Sequence, residues 1–88
     1  MEHGHVVPEL KLASLAKQAR TEAGVTQQEA ARLLSVAQAS ISHAENNPER
    51  YLTSLRLSMI SNFGGGYEAV GPFYVIKRKD DKLADMYF

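Results

Sequence analysis

The chain contains no cysteine, which excludes disulfides and every cysteine-based zinc site. It has no apolar run near the roughly 20 residues a membrane span needs, and no signal-peptide pattern. A soluble, cytoplasmic protein with no membrane partner is the expectation. Charge of one sign is missing too: ten Lys and Arg balance ten Asp and Glu, so bulk charge does not point to nucleic acid. Histidine is scarce. His3, His5 and His43 stand away from any cysteine or carboxylate at metal-ligand or triad spacing, so neither an enzyme nor a bound metal or cofactor is expected. His3-Gly4-His5 reads as part of a loose end, and the glycines at 64–66 precede no helix, so they form no phosphate-binding loop.

Eighty-eight residues make one domain, which buries only about 60% of its unfolded surface and is marginal unless it oligomerises. Helical periodicity fills most of it. Pro8 suits an early helix position, and Leu12, Leu15, Ala16, Ala19 and Ala23 form one apolar stripe that Gly24 ends. Thr26 and Glu29 form the T-x-x-E capping box of a second helix, which carries Ala30, Ala31, Leu33 and Leu34. Ser35-Val36-Ala37 is the turn to a third helix ending at Asn46-Asn47-Pro48, where asparagine suits a left-handed residue and proline cannot continue. Leu52, Leu55, Met59, Ile60 and Phe63 mark a fourth helix, broken by the glycines.

Beyond them the period changes. Residues 67–70 and 73–78 look like short strands around Gly71-Pro72, and 83–88 could be a third strand or a tail. Two strands alone are hardly stable in water, and the same segment of a second copy is the cheapest partner. The expected organisation is a flexible N-terminus at 1–8, a helical domain at 9–63, and a glycine hinge with a β segment and tail at 64–88.

Two helices separated by three residues, over 24–46, form a helix-turn-helix: one helix braces on a DNA backbone and the next enters a groove. Residues from about 9 to 63 resemble the DNA-binding domain of the Cro and lambda-repressor type, the XRE family. The matches are Arg20, Gly24, Thr26-Gln27, Ala31, Val36, Ile41, Glu45 and the Asn46-Asn47-Pro48 stop. The stretches LASLAKQARTEAGVTQ, ASISHAENNP and LTSL look most like HipB-type antitoxins. The implied fold is mainly α, with four or five helices of the lambda-repressor kind and a short C-terminal strand or hairpin used in dimerisation.

The resemblance makes Arg20 and Glu45 a buried ion pair tying the first helix to the end of the third. Two positions depart from the family pattern. Ser35 stands where glycine is usual, so a positive φ there would be strained. Ala37 replaces the usual Ser or Thr cap of the third helix, costing about 1 kcal/mol of capping. Ala44 is smaller than the residue common there, so Phe63 or the C-terminal strands are expected to complete the core.

With Ile41 and Ala44 inward, Ala37, Gln38, Ala39, Ser42 and His43 face out as the expected base contacts. Gln38 can pair bidentately with adenine, the alanines can meet a thymine methyl, and His43 can serve a base edge or a phosphate. Gln27 suits a phosphate at a helix N-terminus. The resemblance adds Arg50 and Ser54, with Lys17 or Arg32, as phosphate contacts. So few contacts imply a shallow salt dependence, about −0.9 in slope per phosphate.

Such a module reads few base pairs, so specificity needs a homodimer on a palindromic double-stranded operator, its half-sites about 34–36 Å apart. Tyr67, Ala69, Phe73 and Val75 are the expected dimerisation residues, through a sheet shared by two chains. The expected function is a repressor, as the antitoxin of a toxin–antitoxin operon that binds its own promoter and a toxin. The alternatives are a phage or plasmid repressor without a toxin, and a protein-interaction module.

Overall fold

A computed structural model describes residues 4–77. Its element order is strand β1 (Gly4–Pro8), a 3-10 turn (Glu9–Lys11), helices α1 (Leu12–Glu22), α2 (Gln27–Leu34), α3 (Gln38–Asn46) and α4 (Thr53–Phe63), then strands β2 (Tyr67–Val70) and β3 (Phe73–Lys77). The expected strand or tail at 83–88 lies outside the described residues.

The helix ends follow local chemistry. Thr26 and Glu29 cap α2 reciprocally: the Glu29 N–H donates to Thr26 Oγ1 at 3.1 Å, and the Thr26 N–H donates to Glu29 Oε1 at 3.0 Å. Both α1 and α2 finish in the paired 6→1 and 5→2 hydrogen bonds of a Schellman motif. At α1 the bonds run from Val25 N–H to Arg20 O and from Gly24 N–H to Thr21 O, around Gly24 at φ +75°. At α2 they run from Val36 N–H to Ala31 O and from Ser35 N–H to Arg32 O, around Ser35 at φ 59°, ψ 44°. Ser35 is the one non-glycine residue with positive φ among the described residues. The strained turn anticipated from sequence is therefore present.

The core joins all four helices to one face of the sheet: Leu12 and Ala16, Ala30 and Ala31, Ile41 and Ala44, then Met59, Ile60, Phe63 and Ile76. The small Ala44 is accommodated as expected, with Phe63 and a strand residue both in that core. Val7 and Tyr74 pack against it as well.

The N-terminus corrects the sequence reading. Residues 4–8 were expected to be loose and Pro8 to open a helix; instead Gly4–Pro8 pairs antiparallel with β3, in the order β1-β3-β2. Pro8 closes that edge strand, where its missing N–H does no harm, and the 3-10 turn precedes α1. Only Val6 and Val7 carry the strand's alternation, Val6 being exposed and Val7 half-buried, which is too short a signal to read. The hairpin thus gains its third strand from its own chain, not from a second copy.

The hairpin turn fixes which side chains share a face. Gly71 has φ +61° and Pro72 can only take a negative φ, the combination a II′-type two-residue turn requires. It pairs Val70 with Phe73, Ala69 with Tyr74, Glu68 with Val75 and Tyr67 with Ile76. Tyr67, Ala69, Tyr74 and Ile76 therefore face the helices, whereas Glu68, Val70, Phe73 and Val75 face away. The edge-on Tyr67–Tyr74 ring pair, centroids 6.3 Å apart, agrees with that parity.

Candidate nucleic-acid interface

Helix α3 is held from its inner side. Ile41, Ala44 and Glu45, at i, i+3 and i+4, are all buried. The opposite side carries Ala37, Gln38 and Ala39 exposed, Ser42 and His43 half-buried, and Asn46 exposed. Asn46, a helix stop by its sequence context, also belongs to this face; its Nδ2 donates to Ser42 Oγ at 3.3 Å, one turn back. Ala37 begins the helix in an extended conformation with no side-chain cap, so packing rather than a terminal hydrogen bond secures that end.

Two buried arginines fix the far end of α3. Arg20 forks onto Glu45: Nε donates to Oε2 and Nη2 to Oε1 at 3.0 Å, while Nη1 reaches the Val25 carbonyl at 2.8 Å. The ion pair expected from the resemblance is present and buried. Gln27 completes it, its Nε2 donating to Glu45 Oε1 at 3.1 Å. That bond commits the Gln27 side chain to the pair. Its backbone N–H, in the first turn of α2, is then the Gln27 group suited to a phosphate.

The second arginine escaped the sequence reading. Arg56 on α4 is 1% exposed. Its guanidinium donates to the carbonyls of Ala44 (2.8 Å), Arg50 (2.9 Å) and Asn47 (2.6 Å). Among the described residues no carboxylate joins that shell; the carbonyls at and just beyond the negative end of α3 compensate it. Burial lowers its pKa, while the charges of Glu9 and Glu49 oppose that shift. Arg56 also replaces the expected asparagine cap, since Asn47 has φ −126° and α3 ends without a left-handed residue. The only sequence signal was a cation on the apolar side of α4, between Leu52, Met59 and Ile60.

Burying Arg20 and Arg56 reduces the cations available to a polyanion. Lys17 on α1, Arg32 on α2 and Arg50 after α3 are exposed, as is Ser54 at the start of α4. Ser54 lines a shallow groove with Ser40 of α3 and Val36 of the turn, so the α3–α4 loop borders the recognition helix. Tyr51 lines the same groove and is 98% exposed; it has no place in either helix's periodicity, so the sequence carries no signal for it.

The four residues expected to mediate dimerisation do not form one patch. Tyr67 and Ala69 share the helix-facing side of the sheet, and Phe73 and Val75 point away from it. The two-residue turn causes the split, because it pairs odd positions of β2 with even positions of β3. What the sheet does leave open is an edge. β1 covers one side of β3 and β2 the other, so the outer edge of β2 is unpaired among the described residues.

Residues 17–67, more than half of the chain, match the model of a family described as Helix-turn-helix. No curated protein matches, and neither does any solved structure.

Proposed function

The chain belongs to the helix-turn-helix family of the Cro and lambda-repressor type, whose members are DNA-binding transcriptional regulators, and from that premise we propose a homodimeric repressor acting on a palindromic operator. One observation supports this above the others. The outer face of α3 holds Ala37, Gln38, Ala39, Ser42, His43 and Asn46 clear of the core, while Arg20 and Arg56 immobilise the same helix from behind. Gln38, Ser42 and His43 read base edges, and the two alanines meet thymine methyl groups. The Gln27 N–H, Lys17, Arg32, Arg50 and Ser54 hold the backbone.

In this proposal two copies join at β2. The Lys77 N–H donates to Gly66 O at 2.9 Å, which sets the ladder phase: Glu68 and Val70 bond toward β3, and the backbone groups of Tyr67 and Ala69 point outward. Pairing β2 with its two-fold copy satisfies those groups and joins the two sheets. The likeness of three stretches to HipB-type antitoxins supports a toxin encoded in the same operon as a further partner, with autoregulation of the shared promoter.

Binding-site selection with the purified protein tests the proposal. The expected product is an inverted repeat with half-site centres about 34–36 Å apart, and Gln38→Ala relaxes one position in each half. Enrichment of a lone half-site removes the dimer, and no enrichment at low salt removes DNA recognition. Co-purification of a protein encoded beside this one supports the antitoxin role; its absence leaves a repressor acting alone.

A further inference from the structure

The C-terminal end of α3 carries a chain of side-chain hydrogen bonds that base recognition alone does not require. Asn47 Nδ2 donates to Glu49 Oε2 at 3.3 Å, and Asn47 Oδ1 lies 3.2 Å from His43 Nδ1. The carboxylate decides the direction of the whole chain. An amide turned the other way would set its oxygen against the Glu49 carboxylate, two acceptors with no proton between them. With the amide nitrogen on Glu49, its oxygen faces the imidazole, and Nδ1 must then carry the hydrogen.

The amide stands on a fixed base. The Asn47 carbonyl accepts both Arg56 Nη2 at 2.6 Å and the Arg50 N–H at 3.0 Å, and the Asn47 N–H donates to His43 O at 2.9 Å. Glu49 is held in its ionised form, its pKa lowered first by its own backbone N–H and then by the Asn47 amide.

We propose that Asn47, oriented by Glu49 and anchored by Arg56, locks neutral His43 in the Nδ1–H tautomer and thereby makes Nε2 a hydrogen-bond acceptor on the recognition face. His43 is then a specificity-determining residue and Asn47 its positioning residue. An acceptor cannot bind a phosphate oxygen, nor guanine O6 or N7, which are acceptors themselves. It can take a hydrogen from the exocyclic amine of adenine N6 or cytosine N4, the donors of the major groove. Of the two partners open to His43 from sequence, a base edge and a phosphate, the locked ring selects the base. This assignment rests on the DNA-binding function proposed above, but the tautomer itself does not.

Two readouts separate the two ideas. Nitrogen-15 NMR of the free protein near pH 8 reports which ring nitrogen bears the proton. The Nδ1–H form is expected in the wild type, whereas Asn47→Ala, which removes the acceptor, shifts the ring toward Nε2–H. A wild-type ring protonated on Nε2, or one unchanged in Asn47→Ala, overturns the proposal whatever the DNA does. Site selection supplies the second readout. The wild type prefers adenine or cytosine at the His43 position by about tenfold, and Asn47→Ala loses that preference while keeping those of Gln38. A guanine preference in the wild type overturns the proposal while leaving DNA binding intact. A locked tautomer in a protein that selects no sequence overturns the DNA function and the role of His43 with it.

Discussion

Replacing Arg20 with alanine should bring this domain close to its unfolding limit. The substitution removes three hydrogen bonds and leaves Glu45, whose side chain has no solvent exposure, with Gln27 Nε2 at 3.1 Å as its remaining side-chain donor. Stranding one partner of a buried ion pair costs about 3–5 kcal/mol. At roughly 0.05–0.15 kcal/mol per residue, an 88-residue domain has about 4–13 kcal/mol in total. The lower end of that loss corresponds to a fall in Tm of about 12–24 °C at this size. Thermal melts followed by far-ultraviolet circular dichroism measure it directly. The charge must be the reason, so the double variant Arg20→Met with Glu45→Met should recover most of the loss, because apolar replacement of a buried pair is often neutral. An Arg20→Ala Tm within about 4 °C of wild type, the shift of a single kcal/mol, would refute the reasoning. So would a double variant no better than the single one.

Four further outcomes follow from other parts of the structure. Arg56→Ala should destabilise by about 3 kcal/mol or more, because it empties a buried site and takes a donor from three carbonyls, of which Asn47 and Arg50 keep a backbone N–H and Ala44 does not; urea titration should show Arg50→Ala, at an exposed position, within about 0.5 kcal/mol of wild type. Ser35→Gly should raise stability by about 1 kcal/mol in the same titration, since a left-handed residue costs L side chains about 1–2 kcal/mol. Glu29 has its pKa lowered from 4.5, chiefly by the Thr26 N–H, so its contribution is present above that pH and lost as pH falls through the depressed value; the Tm gap between wild type and Glu29→Gln should hold at neutral pH and close in acid. Ala69→Pro deletes an N–H that points away from β3, so sedimentation should show the fold kept and the dimer lost, and a dimer unaffected by it would exclude the β2 edge as the joint.

Local chemistry made the helices legible. The capping box and Gly24 each act within one turn of the chain, so the boundary between α1 and α2 is legible in sequence, and the Asn-Pro stop marks roughly where α3 ends. The outward face of α3 followed from the same periodicity, once Ile41 and Ala44 were set inward. Arg20 and Glu45, 25 positions apart, were paired only through a family resemblance, because nothing local joins them. Arg56 had no such aid. A cation on an apolar helix face looks like a surface residue until the carbonyls that receive it are seen.

What the sequence determined by itself was the four helices, the C-terminal hairpin and the solvent-facing side of α3, all governed by contacts within about four residues. Tertiary structure decided the rest: that β1 completes the sheet, that Tyr67 and Phe73 lie on opposite faces, that Arg56 closes the end of α3, and that Asn47 turns toward His43. Each of these depends on register or on a hydrogen-bond partner distant in the chain or set by a fold-dependent turn. Neither is encoded in periodicity, because a strand or a guanidinium carries the same local pattern whichever partner it meets.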